Sequence, residues 1–320
     1  MKRTLVTVLP ELTAEQKERI RTAAENNGFT VLFFDTANEA KEAAGDAEIL
    51  LAPFPELAEG NANLRWCATP FAGVERFCEP GVFSNDDVIL TNGSGAYGIA
   101  ISEHVIMVLL EVLRRRNEYA EHMRNHAWIR NLSIRSIYGS RITLLGTGDI
   151  GQACAKRLRA FEPESITGVS QSGRNPENLF DRVVPVNELD EVLKETDVLI
   201  LSLPATAETF HILDARRLAL LKDQVVVINV GRGSCIEEAA LEEEVCTGRI
   251  YAALDVFEQE PLPETSRLWD NDHVLLTPHV AGDMSLACTV ERIVDLFLEN
   301  FDCYVSGKPL NHAVDRKRGY

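Results

Sequence analysis

The sequence has few basic residues relative to acidic ones. Lysine and arginine number 32 and aspartate and glutamate number 49, so the 320 residues carry a formal net charge of −17. A surface of that sign repels nucleic acid and anionic membranes, which argues against both as partners. It also repels small anions, so a site for an anionic ligand needs its own arginine or a helix N-terminus.

Paired cysteines and long apolar runs are also missing. The seven cysteines are scattered and form no C-x-x-C pair, which argues against a zinc site and against a disulfide framework. No apolar run approaches the length of a membrane-spanning helix, and Glu11 soon interrupts the apolar N-terminus, which we interpret as a strand and not a signal peptide. We therefore expect a protein of the reducing cytoplasm that holds no metal.

What the chain does contain is a glycine-rich turn between a strand pattern and a helix pattern. A short apolar run at 142–145 is followed by Gly146, Gly148 and Gly151, and then by helical apolar spacing over 152–161. Strand, G-x-G-x-x-G turn and helix together form the dinucleotide-binding fingerprint, in which the helix N-terminus receives the pyrophosphate. The alternative is a tight turn without a ligand.

Strand and helix patterns alternate along the rest of the chain, which indicates parallel sheets. A helix over 13–27 is predicted from Thr13 and Gln16, which together match a capping box. Two long helices are predicted over 99–126 and 285–304, and the basic cluster Arg114–Arg116 in the first is interpreted as a solvated helix face. The predicted strands are 5–9, 30–34, 48–52, 66–68, 88–91, 142–145, 166–170, 183–186, 198–201, 225–229, 251–255 and 273–277.

These patterns predict an α/β fold with two doubly wound parallel-sheet domains, Rossmann-like or flavodoxin-like. The chain would leave the first domain along one long helix, build the second domain and return along the other. The expected boundaries are 1–98 with 285–320 for a discontinuous substrate domain, and 99–284 for a dinucleotide-binding domain. The cleft between the domains is the expected ligand site.

Five motifs follow one another in a fixed order: G-T-G-D-I-G at 146–151, L-P-A-T-A-E-T at 203–209, N-V-G-R-G at 229–233, D-V-F-E-Q-E-P-L-P at 255–263 and T-P-H-V-A-G at 277–282. Together they resemble the D-isomer-specific 2-hydroxyacid dehydrogenase family. The resemblance runs from Phe71-Ala72-Gly73-Val74 to the end of the chain. It implies a cofactor domain inserted into a discontinuous substrate domain.

The resemblance places the three catalytic residues of the family on Arg232, Glu260 and His279. A guanidinium fork can hold the carboxylate of a 2-oxo acid, and a histidine can deliver a proton near neutral pH. Glu260, not Glu258, would bond the imidazole and favour its charged form. A glutamine at 260 would instead indicate a formate-dehydrogenase-like enzyme. His104, inside the first long helix, is interpreted as structural.

The resemblance also assigns ligand contacts beyond these three. The backbone of Ala72, Gly73 and Val74 would bind the substrate carboxylate together with Arg232 and His279, and loops 54–60 and 71–80, with Trp128, would set substrate size. The cofactor contacts fall on Gly146, Thr147, Gly148, Asp149, Ile150, Gly151, Ser170, Gln171, Ser172, Arg174, Leu203, Pro204, Thr209, Val230, Gly231, Arg232, Asp255, His279, Ala281 and Gly282.

The end of the second strand of the dinucleotide domain indicates which nicotinamide is used. NAD-specific members of the family end this strand with an acid that accepts from the ribose 2′-hydroxyl. Here Ser170 stands at the strand end, followed by Ser172 and Arg174. Because an arginine attracts a 2′-phosphate that a carboxylate would repel, we predict NADP(H) in preference to NAD(H). The alternative is a solvated Arg174 and an unselective enzyme.

The resulting prediction is an NAD(P)H-dependent reductase of a small 2-oxo acid such as glyoxylate, hydroxypyruvate or phenylpyruvate, with domain closure excluding water. The resemblance implies a D-2-hydroxy acid product and a homodimer. One alternative is a nucleotide-sensing binding protein like the corepressors that resemble this family, against which the absence of tails and basic patches argues. Another is a dehydrogenase of phosphoglycerate or phosphite, and the lack of a further domain after residue 320 argues against a regulated biosynthetic enzyme.

Overall fold

A computed structural model describes residues 3–171, 173, 175 and 178–319. The chain forms two compact units. One contains the residues up to Tyr97 together with those from Asp283 onward, and the other is Gly98–Gly282. The assignment of substrate binding to the first unit and of cofactor binding to the second stays a prediction.

The strands of the described residues are, in chain order, β1 (Arg3–Val8), β2 (Phe29–Phe34), β3 (Ile49–Leu51), β4 (Trp66–Ala68), β5 (Ile89–Thr91), β6 (Arg141–Leu145), β7 (Ser165–Ser170), β8 (Arg182–Pro185), β9 (Val198–Leu201), β10 (Val226–Asn229), β11 (Tyr251–Leu254) and β12 (Val274–Leu276). The α-helices are α1 (Ala14–Glu25), α2 (Ala37–Ala44), α3 (Gly98–Leu113), α4 (Arg116–Arg124), α5 (Asp149–Leu158), α6 (Leu189–Leu193), α7 (Ala215–Leu218), α8 (Glu238–Cys246) and α9 (Ala287–Val305).

The first unit is built on a sheet of order β2-β1-β3-β4-β5, whose described pairings are all parallel. This is the flavodoxin-like order. Helix α1 begins with the predicted capping box, because Thr13 Oγ1 accepts from the Gln16 N–H while Gln16 Oε1 accepts from the Thr13 N–H. Trp66, fully buried in β4, stacks on Phe297 of α9 at 5.0 Å between ring centroids. The last long helix thus packs on the first sheet.

The second unit is built on a parallel sheet of order β12-β11-β10-β9-β6-β7-β8. The chain starts at β6, builds outward through β7 and β8, and then crosses back to place β9 on the other side of β6. In doubly wound sheets, ligands bind at the carboxyl ends of the strands beside this reversal. The predicted α/β fold with two doubly wound parallel sheets is confirmed.

The single helix predicted over 99–126 is wrong, because the chain breaks it into α3 and α4. Arg115 adopts a left-handed φ of 54°, although the segment contains neither proline nor glycine. Its guanidinium pairs with Glu118 and bonds the Tyr251 hydroxyl at 3.3 Å. Arg115 is therefore half-buried, and the interpretation of the basic cluster as a solvated helix face is wrong at this residue.

The last long helix begins at Ala287, two residues later than predicted, and α5 begins at Asp149, three residues earlier than predicted. The second shift matters for the site, because it places the first turn of α5 inside the glycine motif. In the described part of the chain, no helix combines the length and apolar character that crossing a membrane requires.

Candidate active site

The glycine turn joins β6 to α5, and each glycine meets a different constraint. Gly146 has a φ of 106°, and a Cβ there would lie 2.8 Å from Ser202 Oγ. A Cβ on Gly151 would lie 2.1 Å from the Gly146 carbonyl oxygen, so helix and turn can pack only without a side chain. Around Gly148, in contrast, no described atom lies within 4 Å of a Cβ position. Gly148 caps the start of α5 and borders open space, as a helix N-terminus that receives a phosphate must.

The side chains of Thr147 and Asp149, in the glycine turn, pack against neighbouring elements of the same unit. A Cβ on Gly98, at the start of α3, would lie 2.7 Å from Asp149 Oδ2, so that carboxylate lies against α3. Thr147 Cγ2 packs against Gly168 of β7. A ligand at this turn would therefore meet mainly backbone atoms, those of Gly146, Gly148 and the N–H groups of residues 149–151. Such a surface suits an anionic group at a helix N-terminus.

Two loops flank this turn. At the end of β7, Ser170 Oγ accepts from the Gly173 N–H at 3.1 Å, and Gln171 is exposed. Ser172 and Arg174, which are predicted to recognise a 2′-phosphate, lie outside the described residues. In the loop after β9, Thr209 Oγ1 bonds the Pro204 carbonyl oxygen at 2.6 Å and closes the loop on itself.

The Arg232 turn follows β10 and is shaped by Asn229, the last residue of that strand. Asn229 is buried; its Oδ1 accepts from the Gly231 N–H at 3.1 Å, and its Nδ2 donates to the Arg232 carbonyl oxygen at 2.9 Å. A Cβ on Gly233 would lie 1.9 Å from the Phe257 carbonyl, so the turn packs directly on the segment after β11. The half-buried Arg232 side chain donates to the Gly231 carbonyl oxygen at 2.9 Å.

His279 and Glu260 form a hydrogen-bonded pair. His279 Nδ1 lies 2.7 Å from Glu260 Oε2, and Glu260 Oε1 accepts from the Phe257 N–H at 3.0 Å. The carboxylate is thus held at both oxygens and fixes the ring through Nδ1. The His279 side chain is 52% exposed, so a small molecule can reach the ring. This is the arrangement that a proton donor oriented by a carboxylate requires.

Asp255 shapes the loop that carries His279. It is only 3% exposed and follows β11 directly. Its Oδ1 accepts from the Val280 N–H at 2.9 Å and its Oδ2 from the Ala281 N–H at 3.0 Å, while its backbone carbonyl accepts from the His279 N–H at 2.8 Å. From the sequence, Asp255 is predicted only as a cofactor contact, and neither its structural role nor that of Asn229 is predicted.

A second histidine–glutamate pair lies in the same unit. His211 Nε2 lies 2.5 Å from Glu258 Oε1, and Glu258 in turn bonds the first residue of α8. The two acids of the 255–260 segment therefore serve different histidines, Glu260 serving His279 and Glu258 serving His211. The sequence offers no signal for the second pair, because nothing in the motifs connects residue 211 to residue 258.

The unit Gly98–Gly282 brings together the glycine turn, Arg232, Glu260 and His279 at the carboxyl ends of its strands. The predicted substrate loop belongs to the other unit, where Ala72 is exposed, its carbonyl oxygen accepts from Asn92 Nδ2 at 3.0 Å, and Val74 is buried in the core. Among the described residues, no three side chains of His, Cys, Asp or Glu are placed to share a metal ion.

Comparisons with known proteins agree with this arrangement. Residues 106–281 match the family described as D-isomer specific 2-hydroxyacid dehydrogenase, NAD binding domain. A hydroxypyruvate reductase of Thermotoga maritima is 31% identical over 76% of this chain and 80% of its own length. A glyoxylate/hydroxypyruvate reductase B of Serratia proteamaculans is 29% identical over 87% of each chain.

Two solved structures superpose over nearly the whole chain. A D-isomer specific 2-hydroxyacid dehydrogenase family protein of Aeromonas salmonicida gives a TM-score of 0.86 at 32% identity, covering 99% of this chain and 100% of that one. An NADPH-dependent glyoxylate/hydroxypyruvate reductase of Sinorhizobium meliloti, solved with NADP and sulfate, gives 0.82 at 29% identity and covers both chains fully.

Proposed function

This chain belongs to the D-isomer-specific 2-hydroxyacid dehydrogenase family, and we propose that it reduces a small 2-oxo acid to the D-2-hydroxy acid with NADPH. The observation that carries the proposal is the Glu260–His279 pair, 2.7 Å apart, in the same unit as Arg232 and the glycine turn. The relatives named as glyoxylate and hydroxypyruvate reductases support glyoxylate and hydroxypyruvate as the first substrates to test.

The residues present fit a nicotinamide dinucleotide. The open space at Gly148 and the N-terminal N–H groups of α5 suit a pyrophosphate, while Gly146 and Gly151 hold the turn close to β6. When bound, the nicotinamide supplies a hydride for the carbonyl carbon of the substrate. The segments beside the turn, including Leu203, Pro204, Val230 and Gly282, would hold the rest of the cofactor.

Arg232 would then bind the substrate and His279 would protonate it. The guanidinium of Arg232 pairs with the carboxylate of the 2-oxo acid and supplies the local positive charge that a chain of net charge −17 needs to attract an anion. His279 donates the proton at Nε2 to the carbonyl oxygen while Glu260 holds Nδ1.

The preference for NADPH rests on the end of β7. The residue there is Ser170, which carries no charge to repel a 2′-phosphate, and its hydroxyl accepts from the backbone at Gly173. The Sinorhizobium meliloti reductase was solved with NADP, and a relative of Xanthobacter autotrophicus with NADPH. These likenesses support NADP(H) as the cofactor, with NAD(H) as the weaker alternative.

Arg174→Ala should weaken NADPH binding about tenfold and leave NADH binding within twofold, because only NADPH carries the phosphate that the guanidinium would pair with. Fluorescence titration of both cofactors measures the two dissociation constants. Lys156→Ala, which removes an exposed cation from α5, is the control and should change neither. Equal losses of both cofactors in Arg174→Ala would show that this residue does not bind the 2′-phosphate.

Two alanine substitutions in the glycine turn should separate binding from folding. Gly148→Ala adds a methyl group to open space, so the melting temperature should change little while NADPH binding weakens about tenfold or more. Gly151→Ala forces a methyl group against the Gly146 carbonyl and should lower the free energy of unfolding by about 1–3 kcal/mol. Thermal melts and NADPH titrations of both variants test this; a destabilised Gly148→Ala with normal binding would contradict it.

Initial rates of NADPH and NADH oxidation with glyoxylate, hydroxypyruvate, pyruvate and phenylpyruvate test the proposed function directly. Turnover with NADPH and one of these acids, giving the D-enantiomer wherever the product is chiral, is the expected result. Tight binding of NADPH without turnover of any acid would overturn the proposal and favour a nucleotide-sensing protein.

A homodimer in the cytoplasm is part of the proposal. The segment around 123–138 exposes large apolar side chains that a second copy could cover, among them Trp128, which is 77% exposed, and Tyr138. The seven cysteines are free, as expected in a reducing compartment. Sedimentation equilibrium of the full chain measures the oligomeric state, and a monomer at micromolar concentration would contradict the dimer.

A further inference from the structure

A chain of hydrogen bonds connects helix α3 to the loop that carries His279. His104, in the second turn of α3, has its Nε2 3.3 Å from Thr277 Oγ1. Thr277 Oγ1 bonds Asp255 Oδ1 at 2.6 Å. The carboxylate of Asp255 also accepts from the N–H groups of Val280 and Ala281, which directly follow His279. These hydrogen bonds therefore end on the backbone that directly follows the proposed proton donor.

The chemistry of these groups fixes the direction of each bond. A carboxylate can only accept, so the single hydroxyl proton of Thr277 points to Asp255. Thr277 Oγ1 can then only accept from His104, whose Nε2 must carry the proton. Burial lowers the pKa of His104 and disfavours the charged ring, although Asp255 and Glu111 act in the opposite sense.

The His279 backbone needs such support. Its φ of 54° lies in the left-handed region, which a side chain makes unfavourable. The His279 N–H donates to the carbonyl oxygens of both Asp255 and Thr277, at 2.8 and 3.0 Å. The position of the imidazole therefore depends on the positions of Asp255 and Thr277. The hydroxyl of Thr277 is in turn bonded by His104.

We propose that His104 is a positioning residue for the reduction: by donating to Thr277 it orders Thr277 and Asp255, and through them the His279 loop. This inference rests on the proposed function for its kinetic part only. His104 bonds Thr277, which lies two residues before His279, so its effect on the His279 loop passes through Thr277. A histidine interpreted from the sequence as structural thereby gains a role in the placement of the proton donor.

Three variants of α3 test the inference in the full chain. His104→Leu removes the donor and should lower kcat about tenfold while the dissociation constant for NADPH stays within twofold. His104→Gln keeps an N–H donor of similar reach and should restore kcat to within threefold of the wild type. Ser102→Ala, which removes a buried hydroxyl bonded to the Ile99 carbonyl of the same helix, is the control and should leave kcat unchanged. Equal losses in His104→Leu and His104→Gln would overturn the inference.

A double-mutant cycle tests the route. Thr277→Val removes the acceptor, so adding His104→Leu to it should lower kcat by less than a further twofold. Losses that multiply, to about a hundredfold in the double variant, would show that His104 does not act through Thr277 and would overturn the inference.

Amide hydrogen exchange separates this inference from the proposed function, because it needs no turnover. In His104→Leu the N–H groups of Val280 and Ala281 should exchange about tenfold faster than in the wild type, whereas His104→Gln and Ser102→Ala should not differ from it. Unchanged exchange in His104→Leu overturns the inference. Faster exchange in an enzyme that reduces no 2-oxo acid supports the link between His104 and the loop and overturns the proposed function instead.

Discussion

His279→Ala is expected to lower kcat for the preferred 2-oxo acid by about three orders of magnitude while the dissociation constant for NADPH stays within twofold. Removing a general acid typically costs between about a hundredfold and ten-thousandfold. Here the acid is also oriented, since Glu260 holds Nδ1 at 2.7 Å and is itself held by the Phe257 N–H. The loss should therefore fall on the chemical step and not on cofactor binding.

Steady-state rates with NADPH and with its 4-deuterated form measure this loss and assign it to the chemical step. In His279→Ala the primary isotope effect on kcat should reach its full value, because hydride transfer becomes the slowest step. His211→Ala is a matched control, since it removes the histidine of the other histidine–glutamate pair in the same unit, and it should keep kcat within threefold. If His279→Ala retains the wild-type kcat, the assignment of the proton donor is wrong.

The sequence predicts those helices and strands whose signals lie within their own residues. The capping box of Thr13 and Gln16 starts α1 as predicted, and the apolar runs give the strands to within two residues at either end. The break between α3 and α4 could not be predicted in this way. Arg115, left-handed at the break, bonds Tyr251, 136 residues further along the chain, and the segment contains no proline or glycine that would mark a break.

A similar division applies to the candidate site. Arg232, Glu260 and His279 stand in motifs that the sequence shows directly, and the structure brings them into one unit. The residues that hold their loops are not visible in the same way. Asn229 ends β10 and bonds the backbone of its own turn at Gly231 and Arg232. Asp255, directly after β11, instead bonds the backbone of Val280 and Ala281 in the loop after β12, which requires β11 and β12 to be neighbours in the sheet. The Asp255 contacts therefore follow from topology and not from the spacing of residues.

Arg232→Ala is expected to lower kcat/KM for the 2-oxo acid by at least about a thousandfold. The guanidinium would provide both a charge-assisted pair with the carboxylate and a donor to the carbonyl oxygen, and removal of one such donor to a developing oxyanion costs about a hundredfold to a thousandfold. Arg232→Lys keeps the charge but loses the planar fork, so it should recover only part of the loss. NADPH titrations of both variants show whether cofactor binding survives.

The substrate itself supplies the sharpest control for this prediction. The methyl ester of the same 2-oxo acid lacks the negative charge, so the wild type should prefer the acid to the ester by a large factor in kcat/KM. If Arg232 holds the carboxylate, that preference should nearly vanish in Arg232→Ala, because the acid loses the pairing that the ester never had. A variant that loses the same factor for acid and ester would show that Arg232 acts on the carbonyl or on the turn.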